Sequence, residues 1–189
     1  MRSAGRPLCL SLTFVAVLAA AAPAAAQFGA GARIAMVHRE INGDDDSVRF
    51  TGAQIRLGSA RTAFELSFDR RSEDFELLNE KVKETPIQAS LLLYLAGGGF
   101  KPYLLGGPGW YKRSVEPLDG SGESVSTTTF GWHAGFGAEF RPGRHFGIHG
   151  DYRYTHLSFD DDDEDEGFIS SLFPSHDGSM WTVGFTFYF

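Results

Sequence analysis

The last nine residues alternate without a break. Trp181, Val183, Phe185, Phe187 and Phe189 are separated by Thr182, Gly184, Thr186 and Tyr188. Successive side chains of a strand point to opposite faces, so this segment predicts a strand with one strongly apolar face and one small, polar face. The same period recurs upstream. Phe64, Leu66 and Phe68 oppose Glu65, Ser67 and Asp69. Trp132, Ala134, Phe136, Ala138 and Phe140 oppose His133, Gly135, Gly137 and Glu139. Phe146, Ile148, Tyr152 and Tyr154 oppose Gly147, His149, Asp151 and Arg153. Extended over the chain, the pattern predicts eight strands of about ten residues, near 28–39, 48–57, 61–70, 84–96, 101–113, 126–140, 145–159 and 179–189. Gly106-Gly107-Pro108-Gly109 interrupts the fifth. Proline cannot donate a ladder hydrogen bond, so a bulge is expected there.

The connections alternate in length. Those after strands two, four and six are short: Gly58-Ser59-Ala60, Gly97-Gly98-Gly99 and Arg141-Pro142-Gly143-Arg144. Those after strands one, three, five and seven are expected as longer polar loops, around 42–47, 72–83, 114–125 and 160–178. Strict short and long alternation fits an up-and-down antiparallel barrel with both termini at the end of the short turns.

Composition narrows the picture. Arg2 and Arg6 precede an apolar run from Leu8 to Ala22, followed by Ala24-Ala25-Ala26-Gln27. That is the layout of a cleaved secretory signal peptide over residues 1–26, leaving residues 27–189 as one barrel domain. Cys9 is the only cysteine and falls within the leader, so the mature chain carries no disulfide. Without the two leader arginines the formal net charge moves from −7 to about −9, which disfavours nucleic acid as a partner. No mature segment is apolar for long enough to form a transmembrane helix.

Alternation alone does not say which face points inward. A soluble lipocalin-like barrel would line a cavity with the apolar face. Aromatics near the strand ends (Trp132, Phe140, Phe146, Tyr154, Trp181, Phe187, Phe189) favour the reverse arrangement, an apolar outside in lipid and a narrow polar lumen. The terminal strand ending on Phe189 resembles the C-terminal signature of bacterial outer-membrane β-barrels. By overall pattern the chain resembles the small eight-stranded family that includes OmpA- and OmpX-type barrels. The resemblance implies an outer-membrane location, both termini periplasmic, and Phe189 as a signal read by the barrel-assembly machinery. It also implies surface adhesion or envelope roles carried by extracellular loops, with lipid and lipopolysaccharide as surroundings and no cofactor.

Three sets of residues are candidates for function. Arg33, Arg56, Glu65, Asp69, Glu139, Asp151 and Arg153 fall on the inward face. A charge in a narrow lumen needs a partner, so they are expected to form a salt-bridged plug; a gated polar pathway is the functional alternative. Asp160, Asp161, Asp162, Asp163, Glu164, Asp165 and Glu166 form an acidic run. Its plainest reading is a solvated, self-repelling loop, and its functional one is weak divalent-cation capture that bridges to lipopolysaccharide phosphates. The spacing does not match an EF-hand. His156 and Ser158 share a face at the end of the seventh strand. With Glu164 or Glu166 they could form a Ser-His-Glu acyl hydrolase, similar to outer-membrane lipid A deacylases. A narrow OmpW-like pore is a further alternative, one that needs an apolar lumen stretch.

Overall fold

The computed structural model describes residues 27–41, 44–75, 79–119, 123–158 and 177–189. The expected leader, residues 1–26, lies outside them. Among the described residues the chain forms eight strands: β1 (Gln27–Ile41), β2 (Asp44–Gly58), β3 (Thr62–Phe75), β4 (Glu80–Tyr94), β5 (Phe100–Pro117), β6 (Val125–Phe140), β7 (Phe146–Ser158) and β8 (Asp177–Tyr188). Each pairs antiparallel with its neighbours in sequence, and β1 pairs with β8, so the sheet closes into a barrel. The seam runs from Gly29↔Tyr188 to His38↔Ser179. The ends of the barrel and the three short turns share one side, the terminal rim; the opposite ends of the strands form the far rim.

The barrel is packed inside out. Phe64, Leu66, Phe68, Trp132, Phe136, Trp181, Val183 and Phe185 are exposed on the outer wall, while Arg33, Arg56, Glu65, Asp69 and Arg153 are buried in the lumen. An apolar surface this continuous belongs in lipid rather than water, which excludes the lipocalin-like arrangement. Apolar clusters pack the lumen towards each end. Ala63, Leu92, Tyr94, Tyr103 and Leu105 lie towards the terminal rim, and Ala35, Val48, Phe50 and Met180 towards the far rim.

Two expectations need correction. The strands run from 12 to 18 residues rather than about ten. Most of the first three supposed loops is strand: 44–47 belongs to β2, 72–75 to β3, 80–83 to β4 and 114–117 to β5. Once a hairpin ladder is running, backbone pairing continues past the apolar band. Cross-strand ion pairs such as Lys81–Asp74 (3.2 Å) and Lys83–Glu116 (2.6 Å) support it there. The fourth supposed loop is undescribed apart from the start of β8.

The second correction concerns Pro108. Pairing of β5 with β6 runs in one register from Phe100↔Phe140 through Pro108↔Trp132 to Val115↔Val125, so no residue is inserted. The ladder lapses only on the β4 side, between Gln88↔Gly109 and Leu91↔Gly106, and resumes with the same offset. The proline costs a ladder contact without bending the strand into a bulge.

Inward glycines make room for the charges. A Cβ on Gly52 would sit 2.1 Å from Asp69 Oδ1 and 2.4 Å from the Phe68 carbonyl oxygen, and one on Gly147 would sit 2.5 Å from Glu139 Oε1. Gly52→Leu is expected to lower stability by about 1–3 kcal/mol through overpacking. Gly97→Ala, in an open turn with nothing within 4 Å, should leave it unchanged. Urea titration of the protein folded into lipid vesicles measures both. Phe136→Arg on the outer wall should cost about 2–4 kcal/mol in the same titration, because it places a cation in hydrocarbon.

Candidate functional site

Every strand contributes to the lumen. Arg33 comes from β1, Gln54 and Arg56 from β2, Glu65 and Asp69 from β3, and Gln88, Ser90 and Tyr94 from β4. Tyr103 comes from β5, His133 and Glu139 from β6, His149, Asp151 and Arg153 from β7, and Thr182, Thr186 and Tyr188 from β8. Period-two alternation aims each of them inward.

Glu65 is the hub. Its Oε2 accepts from Arg56 Nε at 2.7 Å, and its Oε1 accepts from Arg153 Nη2 at 2.8 Å and Arg33 Nη1 at 3.5 Å. Arg33 also forks onto Asp69: Nε donates to Oδ1 at 2.8 Å, and Nη2 donates to Oδ2. Gln88 Oε1 bridges, accepting from Arg33 Nη2 at 3.3 Å and Arg153 Nη1 at 3.0 Å. Arg153 Nε donates to Asp151 Oδ1 at 2.6 Å, and Asp151 also accepts from Tyr103 (2.9 Å) and from the Thr182 hydroxyl.

A second hub closes the terminal rim. Glu139 Oε2 accepts from Arg56 Nη1 at 3.0 Å and from the Tyr94 hydroxyl at 2.9 Å. Its Oε1 accepts from Arg141 Nε at 2.8 Å and the Tyr188 hydroxyl at 2.9 Å. The Arg141 guanidinium lies 3.6 Å from the Tyr188 ring centroid, a cation–π stack. A small solvent-open recess of about 10 Å³, room for about one water, sits here, lined in part by Gln27, Arg56, Ser59, Arg141 and Tyr188. Arg56, Glu65 and Arg153, each no more than 1% exposed, fill the section.

All seven inward charges named from the sequence lie in this one network. Arg141 is an addition: it follows Glu139 by two residues and keeps the inward parity of β6 just past the strand end. With it, four guanidiniums (Arg33, Arg56, Arg141 and Arg153) face four carboxylates (Glu65, Asp69, Glu139 and Asp151). The tyrosines, Gln88 and the two buried histidines were not picked out from sequence. Their inward parity was the available signal. His133 Nε2 is 2.8 Å from Ser90 Oγ, and His149 Nε2 is 3.2 Å from Gln54 Nε2.

The other candidates are elsewhere. His156 is exposed on the outward face of β7, opposite Trp132 on β6 and Asp177 on β8. Ser158 closes β7, and its side chain lies outside what is described. Glu164, Glu166 and the acids Asp160, Asp161, Asp162, Asp163 and Asp165 also lie outside the described residues. Phe189 stacks on Phe28 with ring centroids 5.8 Å apart, and its N–H donates to the Phe28 carbonyl at 2.9 Å.

A closed eight-stranded barrel, apolar without and ion-paired within, is a membrane-spanning barrel of the kind found in outer membranes. The chain belongs to the outer membrane protein beta-barrel domain family, whose pattern it matches over residues 8–189, and it is a protein of the outer membrane. Its fold is similar to that of Ail, the attachment invasion locus protein of Yersinia pestis (19% identity, TM-score 0.58, 87% of this chain and 99% of that one). It is also similar to Neisserial surface protein A (15%, 0.65, 86% and 97%) and to OprG of Pseudomonas aeruginosa (15%, 0.57, 89% and 98%). No curated protein sequence matches significantly.

Removing one partner from a buried ionic network leaves the others uncompensated. Glu65→Gln strips the shared anion from three arginines and is expected to cost about 3–5 kcal/mol. Urea-induced unfolding in vesicles, followed by tryptophan fluorescence, measures the loss.

Proposed function

We propose that this protein is a non-enzymatic surface-interaction barrel. Residues 1–26 are removed on export, both termini are periplasmic, and the far rim faces the outside. Phe189 serves as the assembly signal read by the barrel-assembly machinery. One observation carries the reading: a four-stranded wall rises beyond the barrel at the far rim. The β3–β4 pairing continues to Phe75↔Glu80, β4–β5 to Glu80↔Pro117 and β5–β6 to Val115↔Val125. By contrast, among the described residues β2–β3 pairing stops at Thr51↔Arg70, although β2 and β3 both run further out. Among the described residues the wall therefore has an open edge along the outer part of β3, and a strand edge with unpaired backbone is a ready template for a partner. Its charges are mixed: Arg71 joins Glu73 and Glu84, and Lys83 joins Glu116.

The filled lumen argues against the pore. His156 faces outward, where the hydrolase reading puts it; the Ser158 side chain, Glu164 and Glu166, which that reading also needs, lie outside the described residues. Ail, a structural neighbour, has been crystallised with the heparin analogue sucrose octasulfate, so a barrel of this fold can present a ligand-binding surface.

Shortening the β3–β4 hairpin by replacing residues 73–82 with a two-residue turn should preserve the folded barrel, seen as heat-modifiable gel mobility. It should abolish the binding of expressing cells to immobilised heparin and matrix proteins. Equal binding by both cell types would overturn the reading. Discrete single-channel steps of the pure protein in planar bilayers would replace it with a pore. Loss of an acyl chain from lipid A in wild-type cells, but not in Ser158→Ala cells, would replace it with a hydrolase.

A further inference from the structure

The outer wall changes character abruptly at the far rim. Ala53, Phe68, Ile87, Trp110 and Phe130 are successive cross-strand partners from β2 to β6 and form an apolar row. Trp110 and Phe130 meet edge to face at 5.9 Å. Two residues further out the row is Thr51, Arg70, Thr85, Lys112 and Thr128. Thr51↔Arg70, Thr85↔Lys112 and Lys112↔Thr128 are direct partners. Thr85 falls opposite Arg70 by the pairs on either side, Phe68↔Ile87 and Arg71↔Glu84. Hydroxyl and cation alternate across five strands.

These cations are available. Arg70 and Lys112 are exposed and form no ion pair among the described residues. The next row outward continues with Arg49, then Ser72, Lys83, Ser114 and Ser126 along the ladder. On these strands acids first appear outward in the third row, as Asp74 and Glu116, and they neutralise Lys81 and Lys83. Two acid-free rows directly above an apolar row that carries Phe68, Trp110 and Phe130 match what is expected of a barrel where lipid headgroups meet the hydrocarbon boundary. At the terminal rim the outward face instead ends on Phe100, Phe140, Phe146 and Phe187.

We infer that Arg70 and Lys112, with the hydroxyls of Thr51, Thr85 and Thr128 and with Arg49 behind them, form a binding stripe for the phosphates of lipopolysaccharide. The two cations sit two strands apart, about 10 Å at the backbone. Both flank Thr85 in the register, so two phosphates of one lipid or a shared phosphate can be held by charge-assisted bonds. An outer-leaflet glycolipid carrying several phosphates matches a row of cations better than a lipid carrying one. The assignment to that leaflet rests on the far rim facing outward.

The test uses the full mature protein refolded in neutral phosphocholine micelles, where its orientation in a cell is irrelevant. Binding of rough lipopolysaccharide, dephosphorylated lipopolysaccharide and phosphatidylglycerol is titrated by tryptophan fluorescence. Wild type should prefer the phosphorylated glycolipid. Arg70→Ala combined with Lys112→Ala should weaken that binding about ten-fold or more and leave the dephosphorylated form unaffected. Arg144→Ala at the opposite rim is the control and should match wild type. Heat-modifiable mobility verifies that each variant is folded. Unchanged affinity in the double variant overturns the proposal, as does equal preference for phosphatidylglycerol. Separately, Glu123→Cys is labelled on intact cells with an impermeant maleimide. No labelling would overturn the orientation and with it the assignment to lipopolysaccharide, whereas labelling with unchanged affinity would overturn the stripe alone.

Discussion

Hydrocarbon offers no hydrogen bonds, and that constraint shapes everything else in this molecule. A strand that crosses a membrane must have all its backbone donors and acceptors paired by other strands, which only a closed sheet achieves. Here closure is made by β1 on β8 over a seam of ten residue pairs. Where the ladder is broken, at Pro108 and again beside Pro86, the lapse affects one neighbouring strand and the register survives on both sides of it. A single missing donor is tolerable; a shifted register would turn every side chain to the wrong face.

Closing only eight strands leaves a narrow interior that side chains fill. The outside belongs to lipid, so polar residues have only the inside, and there they must satisfy one another. Glu65 stands within reach of Arg33, Arg56 and Arg153, which come from three different strands. Each carboxylate thus joins strands that share no backbone bond. The network cross-links opposite walls of the barrel, while backbone pairing links only adjacent ones. Glycines at Gly52 and Gly147 complete the arrangement by giving up the volume that Asp69 and Glu139 occupy.

Much of this was legible in the chain. The strand number and the two faces follow from period-two alternation in segments such as Phe64–Asp69 and Trp181–Phe189, because each side chain faces either lipid or a polar lumen. The inward charges follow from the same parity. Strand ends were less legible. Polar stretches such as Ser72–Phe75 and Ser114–Pro117 look like loops, yet they are held in strand by a ladder nucleated below them and by ion pairs visible only once the register is known. Tyr94 and Tyr103 were obscured for another reason. Their rings count as apolar in any hydropathy pattern, while their hydroxyls serve Glu139 and Asp151 inside. Arg141 lies in the short turn after β6, where the strand pattern assigns no face.

The seam has a consequence for how the barrel is made. Gly29 and Tyr188 are partners although almost the whole of the barrel's sequence separates them. Every other strand pairing in the barrel joins consecutive strands and can form locally; this one closes the longest loop of them all and carries the largest loop-closure entropy. Until it forms, the sheet is an open ribbon with two bare margins, and the arginines and acids of its inner face are not yet buried against one another. Closing the seam and burying the charges are therefore linked: neither is complete without the other. Before closure the ribbon is a template for pairing with other chains, so its safe passage to the membrane depends on keeping those two margins apart from any other strand.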